Sequence, residues 1–190
     1  MVRKEALKVI LILALLLPLG IFVKFLIPLL SALIAFTIFF FRDPERKIGD
    51  WVISPADGRI DFVEDNRLEI FMGLFDCHVQ RSPVSGIVKR ITFVPGKKRP
   101  AFIRGGNERK VIEIESEEGT FVVELIAGIF ARRIFCWVKE GEKVEKGQRI
   151  GMIAFGSRVA LEVPENYVFV KKVGEKVKAG ETVAVKYEAG

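Results

Sequence analysis

The sequence predicts a β-rich domain of short hairpins with few helices, preceded by an N-terminal hydrophobic α-helical hairpin. Three observations predict this. Residues 6–41 carry only Lys8 and Lys24 as charges, although the 190-residue chain has 30 Lys and Arg and 24 Asp and Glu. From Trp51 onward, short runs rich in Val, Ile, Phe and Trp are cut by glycine and proline at intervals of about ten residues, the pattern of strands and turns. Two turn-bearing strings also recur: "GEKVEKG" at 141–147 returns as "GEKVKAG" at 174–180, and "SPADG" at 54–58 as "SPVSG" at 82–86.

The apolar run comes first. A single helix over residues 6–41 would be roughly 54 Å long, against a bilayer core of about 30 Å. Pro18, Gly20 and Lys24 cluster near its middle, where a break and an interface-seeking charge are expected. Two short helices with a turn around 20–24 follow, and residues 1–45 are assigned as a membrane-anchoring hairpin. A tilted single span and a hairpin that only inserts at the interface remain open. No small-residue cleavage site separates the two apolar halves, which disfavours a signal peptide. Basic residues flank both ends, in "MVRKE" and "FRDPERK", and the positive-inside rule places both on the cytoplasmic side of the cell membrane. The net charge of +6 suits an anionic membrane surface. Nucleic-acid binding is not expected, because basic and acidic residues alternate in stretches such as "VKEGEKVEKG". Cys77 and Cys136 are isolated and match no metal spacing.

Residues 46–190 form the second expected domain. Its strand candidates are "RLEIFMG", "KVIEIES", "TFVVELIAG", "RIFCWVKEG" and "YVFVKK". The recurring strings read as quasi-repeated hairpins and resemble those of biotinyl- and lipoyl-type barrel-sandwich domains. No lysine occupies a Met-Lys-Met or Asp-Lys-Ala tip, so the likeness extends to architecture and not to carrying a prosthetic group.

Chemistry centres on "GMIAFGSRVALEVP", residues 151–164. Its two ends read as buried strand, yet Gly156, Ser157 and Arg158 interrupt it. Glycine in a strand marks a bulge, a bend or a close approach of another group to the backbone. The chain has one histidine, His78, which excludes a His-rich zinc site. A nucleophile, a base and an orienting acid can still be drawn from single residues: Ser157, His78 and an aspartate. Asp57 in the tight "SPADG" turn is the first choice for the acid, and Asp76, two residues from His78, is the alternative.

Five motifs in order, "SPADG", "FDCHVQRSPVSG", "GNERK", "AGIFARRIFCWVKEG" and "GQRIGMIAFGSRVALEVP", resemble those of phosphatidylserine decarboxylase proenzymes in the short form that includes the archaetidylserine decarboxylases. The likeness runs from about Phe41 to about Val170. It implies cooperation of Asp57, His78 and Ser157, self-cleavage between Gly156 and Ser157 into residues 1–156 and 157–190, and conversion of Ser157 to a covalent pyruvoyl cofactor with no metal. That group would take the amine of a membrane serine phospholipid as a Schiff base and release carbon dioxide, with His78 returning a proton. The two cleaved chains would stay associated. Arg132, Arg133 and Arg158 are candidates for binding the head group. "GNERK" is expected on a loop near the site, although Lys110 stands where the family form has Asn. Two other readings are a non-catalytic membrane-anchored adaptor and a serine hydrolase of lipid esters. A denaturing gel separates them, since only the decarboxylase splits by itself.

Overall fold

The computed structural model describes residues 4–16, 18, 24–97, 99–100, 105–128, 133–154 and 157–187. Its contacts divide into two compact units, Met1–Glu45 and Arg46–Gly190. In the first, helices α1 (Lys4–Leu15) and α2 (Leu26–Phe40) pack against each other. Pro28 is tolerated because it falls in the first turn of α2, where backbone N–H groups have no helical partner. The one threonine of α2, Thr37, donates its hydroxyl to the Leu33 carbonyl at 2.8 Å, so no polar group of that side chain is left over. Of the turn expected at 20–24, only Lys24 lies within the described residues. No helix among them is long and apolar enough to cross a membrane.

The second unit consists of strands: β1 (Val52–Ile53), β2 (Gly58–Glu64), β3 (Arg67–Met72), β4 (Val79–Arg81), β5 (Gly86–Val94), β6 (Arg109–Ser116), β7 (Gly119–Ala127), β8 (Ile134–Cys136), β9 (Lys143–Val144), β10 (Arg149–Ile153), β11 (Ser157–Glu162), β12 (Tyr167–Phe169), β13 (Lys176–Val177) and β14 (Thr182–Lys186). They build an eight-stranded sheet in the order β13-β2-β3-β11-β7-β6-β5-β9 and two three-stranded sheets, β1-β14-β12 and β4-β10-β8. The β-rich class with an N-terminal pair of apolar helices is therefore as expected.

Alternation places one side of each strand in the core. Leu68, Ile70 and Met72 of β3, Phe121, Val123 and Leu125 of β7, and Val159 and Leu161 of β11 are all fully buried. Arg67 and Glu69, Glu124, and Arg158 and Glu162 occupy the alternate positions of the same strands.

The recurring strings pair across the chain and do not close hairpins of their own. "SPADG" leads into β2, whose Gly58 lies opposite Val177 in "GEKVKAG". "SPVSG" leads into β5, whose Gly86 lies opposite Val144 in "GEKVEKG". Each serine hydroxyl bonds two residues on, Ser54 to Ala56 O and Ser82 to Val84 O, both at 2.7 Å. The Gly180 and Gly147 N–H groups donate to Ser54 O and Ser82 O at 3.0 and 2.9 Å. Both glycines have positive φ, 100° and 85°, which a side chain would strain. The two serine-proline turns also hold each other: Ile53 N donates to Pro83 O and Arg81 N to Pro55 O. The two three-stranded sheets correspond in the same way, β1-β14-β12 to β4-β10-β8. The second unit is thus two interlocked copies of one arrangement, and the lock is made by residues far apart in sequence.

Candidate active site

Between Ile153 and Ser157 the chain changes sheet. β10 ends at Ile153 in a three-stranded sheet, and β11 begins at Ser157 in the centre of the eight-stranded one. Ser157 lies opposite Met72 of β3 on one side and Ala127 of β7 on the other. It is fully buried, and its hydroxyl donates to Met72 Sδ at 3.3 Å. Gly156 lies outside the described residues.

His78 immediately precedes β4 and is also fully buried. Its Nδ1 stands 2.9 Å from the Asp76 carbonyl. A carbonyl can only accept, so this contact places the proton on Nδ1 and leaves Nε2 as the basic atom. The His78 carbonyl in turn accepts from Gln80 Nε2 at 2.8 Å, and the same Gln80 nitrogen lies 3.6 Å from Met72 Sδ. Met72 is therefore touched by Ser157 and by Gln80, which joins it to the His78 backbone. The sequence reading missed Met72 and Gln80. Their available signal was the alternate position of Gln80 relative to His78 in "HVQ", which puts a buried amide on the histidine's side of the strand.

Asp76 holds its own loop. Its carboxylate accepts from Gly73 N at 2.7 Å, and its N–H donates to Gly73 O at 3.1 Å. Its backbone carbonyl is what faces His78 Nδ1.

Asp57 is nearly buried and accepts from Ala179 N at 2.9 Å and from Arg46 Nη2 at 2.5 Å. Ser85 does the corresponding job in the other copy, accepting from Lys146 N at 2.9 Å. What Asp57 adds is charge and a hydrogen bond from the Cys77 N–H, next to His78. Asp57 is thereby joined to the segment that carries His78. Burial pushes its carboxyl above the usual carboxylate value of 3.8, against the opposing pull of the Ala179 N–H, Arg46 and the Cys77 N–H. A proton is thus bound more tightly in the folded state. The stabilisation this gives is fully present below pH 3.8 and is lost as pH rises through the higher folded value. Carboxyl carbon shifts should show the Asp57 midpoint above its ordinary value, and Arg46→Met should raise it further. A fall on that substitution would contradict this account of the pair.

The arginines part company. Arg158 is 2% exposed, on the sheet face opposite the Ser157 hydroxyl, and its guanidinium binds Asp61 at 2.7 and 2.6 Å and Glu69 at 2.7 Å. Those carboxylates are its partners among the described residues. Arg133 is exposed, and Arg132 lies outside the described residues. Arg158 also lines a cavity of about 340 Å³ with Arg67, Glu69, Asn107, Arg109 and Glu124. Within "GNERK", buried Asn107 donates to Arg99 O and Ala127 O, both at 2.8 Å, and so reaches the strand position beside Ser157.

These residues lie within a recognisable family. Residues 33–185 match the phosphatidylserine decarboxylase family. The chain is 60% identical over 167 residues to a putative archaetidylserine decarboxylase proenzyme of Archaeoglobus fulgidus, covering 85% of this chain and 86% of that protein. It is 45% identical to a protein of the same description from Methanosarcina acetivorans, covering 80% and 76%, and 41% identical to a phosphatidylserine decarboxylase proenzyme of Desulfotalea psychrophila, covering 78% of each. The chain belongs to the phosphatidylserine decarboxylase family.

Proposed function

We propose that this chain is a proenzyme that cuts itself between Gly156 and Ser157 and then decarboxylates the serine head group of a membrane phospholipid. The observation that carries the reading is the fully buried Ser157 at the head of a central strand, linked through Met72 and Gln80 to the segment bearing His78.

In the first stage His78 Nε2 takes the Ser157 hydroxyl proton while Oγ bonds to the Gly156 carbonyl carbon. The C–N bond breaks, the proton passes to the nitrogen of residue 157, and an ester replaces the peptide. Removal of the Cα proton of residue 157 with cleavage of its Cβ–Oγ bond then releases Gly156 as a carboxylate and leaves dehydroalanine. Water converts this to a pyruvoyl cap with release of ammonia.

The residues present fit that group. Ser157 is its source, in a buried and mostly apolar setting, and Gln80 Oε1 is a buried acceptor without a hydrogen-bond partner among the described residues, available to an N–H of an incoming amine. The pyruvoyl ketone supplies covalent capture of the substrate amine and an electron sink for the breaking bond between Cα and carboxylate. His78, with Nδ1 held by Asp76 O, supplies the proton that replaces the departing carboxylate. Residues 1–45 hold the domain at the cytoplasmic face of the cell membrane, and residues 157–190 remain bound to 1–156 through the pairing of β11 with β3 and β7. The serine head group is common to the substrates named for relatives of both descriptions, archaetidylserine and phosphatidylserine.

Serine phospholipids of both kinds, isoprenoid ether and acyl ester, labelled at the serine carboxyl, provide the test. The expected result is labelled carbon dioxide and an ethanolamine lipid from at least one of them. Release of free fatty acid from the acyl-ester lipid, with the carboxyl label kept on the lyso-lipid, would instead mark a hydrolase of lipid esters. Binding without turnover would mark an adaptor.

A further inference from the structure

We propose that Arg158 is a positioning residue that holds the new chain start in place after the cut, an inference that rests on the self-cleavage reading. Cleavage turns residue 157 from a mid-chain residue into the first residue of 157–190, and chain ends fray unless they are tied down. Here the end carries the reacting carbonyl, and productive geometry tolerates displacements of only about 0.5 Å.

The tie is visible next door. Arg158 Nη1 and Nη2 grip both oxygens of Asp61 on β2 at 2.7 and 2.6 Å, and Nη1 also reaches Glu69 on β3 at 2.7 Å. The other Glu69 oxygen accepts from Arg67 Nε at 2.9 Å. Arg67 continues to Glu124 on β7 at 3.1 and 3.2 Å, and to Glu162 at the far end of β11. The strand that begins at Ser157 is thus anchored by charge to β2 and β3 on one side, and Arg67 carries the same network across to Glu124 of β7 on the other. Alternation sends residue 158 to the face opposite residue 157, so the anchor takes no space where the substrate amine must arrive.

A buried ion pair is weak grounds for stability, because desolvation offsets much of the attraction. What a guanidinium provides is direction: a rigid planar fork that a lysine cannot reproduce. An apolar residue at 158 could fill the space, but it would not fix the strand end along two axes.

Amide hydrogen exchange at residues 158–160 tests this in four proteins: cut wild type, uncut Ser157→Ala, and each with Arg158→Lys added. In the cut protein, Arg158→Lys should speed exchange at least tenfold. In the uncut chain, where residue 156 still holds the end, the change should stay under about threefold. The cut variant should also lose about tenfold or more in kcat with KM unchanged. Should Arg158→Lys fail to fold or to cut, Asp61→Asn removes the bidentate partner at a side chain 32% exposed and is carried through the same comparison. Equal acceleration in cut and uncut chains, or none in either, overturns the inference and leaves Arg158 an ordinary structural charge. A wild-type chain that never cuts shows as one band on a gel before any exchange is measured, and overturns the self-cleavage reading itself.

Discussion

Ser157→Ala should leave one uncut chain with no decarboxylation above background, while the wild type resolves into residues 1–156 and 157–190. The substitution removes a single oxygen from a fully buried site whose described hydrogen bond is to Met72 Sδ at 3.3 Å. Loss of so weak a bond should cost no more than about 1 kcal/mol, so the fold should persist. Intact mass and N-terminal sequencing decide the outcome: the small wild-type chain should be blocked to Edman degradation, and the variant should run at full length. A wild-type chain that stays whole under active conditions, or an alanine variant that still splits, would sink the proposal.

His78→Gln should slow cleavage by about 10²- to 10⁴-fold, the usual contribution of a positioned acid-base group. Glutamine is chosen over alanine because its amide can keep donating to the Asp76 carbonyl, so the loop from Gly73 to His78 keeps its hydrogen bonds. A uniformly slow variant with unchanged circular dichroism and melting temperature would assign the loss to proton transfer. Cleavage at the wild-type rate would take His78 out of the mechanism. Asp57→Asn makes a useful companion, because the geometry assigns Asp57 to the Cys77 backbone and to Ala179, and thus to placement of the histidine.

Much of this was legible in the chain. Residues 6–41 had to leave water wherever they went, since they carry only two charges, and Pro18 and Lys24 divide them. The strands could be read because β-branched and aromatic residues alternate with charges over short distances, and alternation is a local property. His78 stood out because it is the one histidine, and Ser157 because a glycine precedes it in an otherwise strand-like run.

Other features were not legible. The repeated strings were read as local hairpins, but their glycines and serines bond across the chain, Gly180 to Ser54 and Gly147 to Ser82. Asp57 is visible in the chain only as the carboxylate of a tight turn, and its bonds to Arg46, Ala179 and Cys77 depend on segments the turn itself does not contain. In the sequence Arg158 is only a charge beside Ser157. Its partners Asp61 and Glu69 lie 97 and 89 residues away.

What the sequence by itself determined is therefore everything that depends on near neighbours: an apolar helical segment, a strand-rich remainder, and a short inventory of groups able to move protons. Only the tertiary structure decided which of those groups meet. Pairing β11 between β3 and β7 in one register sends the Ser157 hydroxyl inward to Met72 and the Arg158 guanidinium outward to two carboxylates. A shift of one residue would exchange the two faces, because side chains alternate with a period of two. That register is set by how distant strands bury their apolar faces together, a property of the assembled sheet and not of any one stretch of chain.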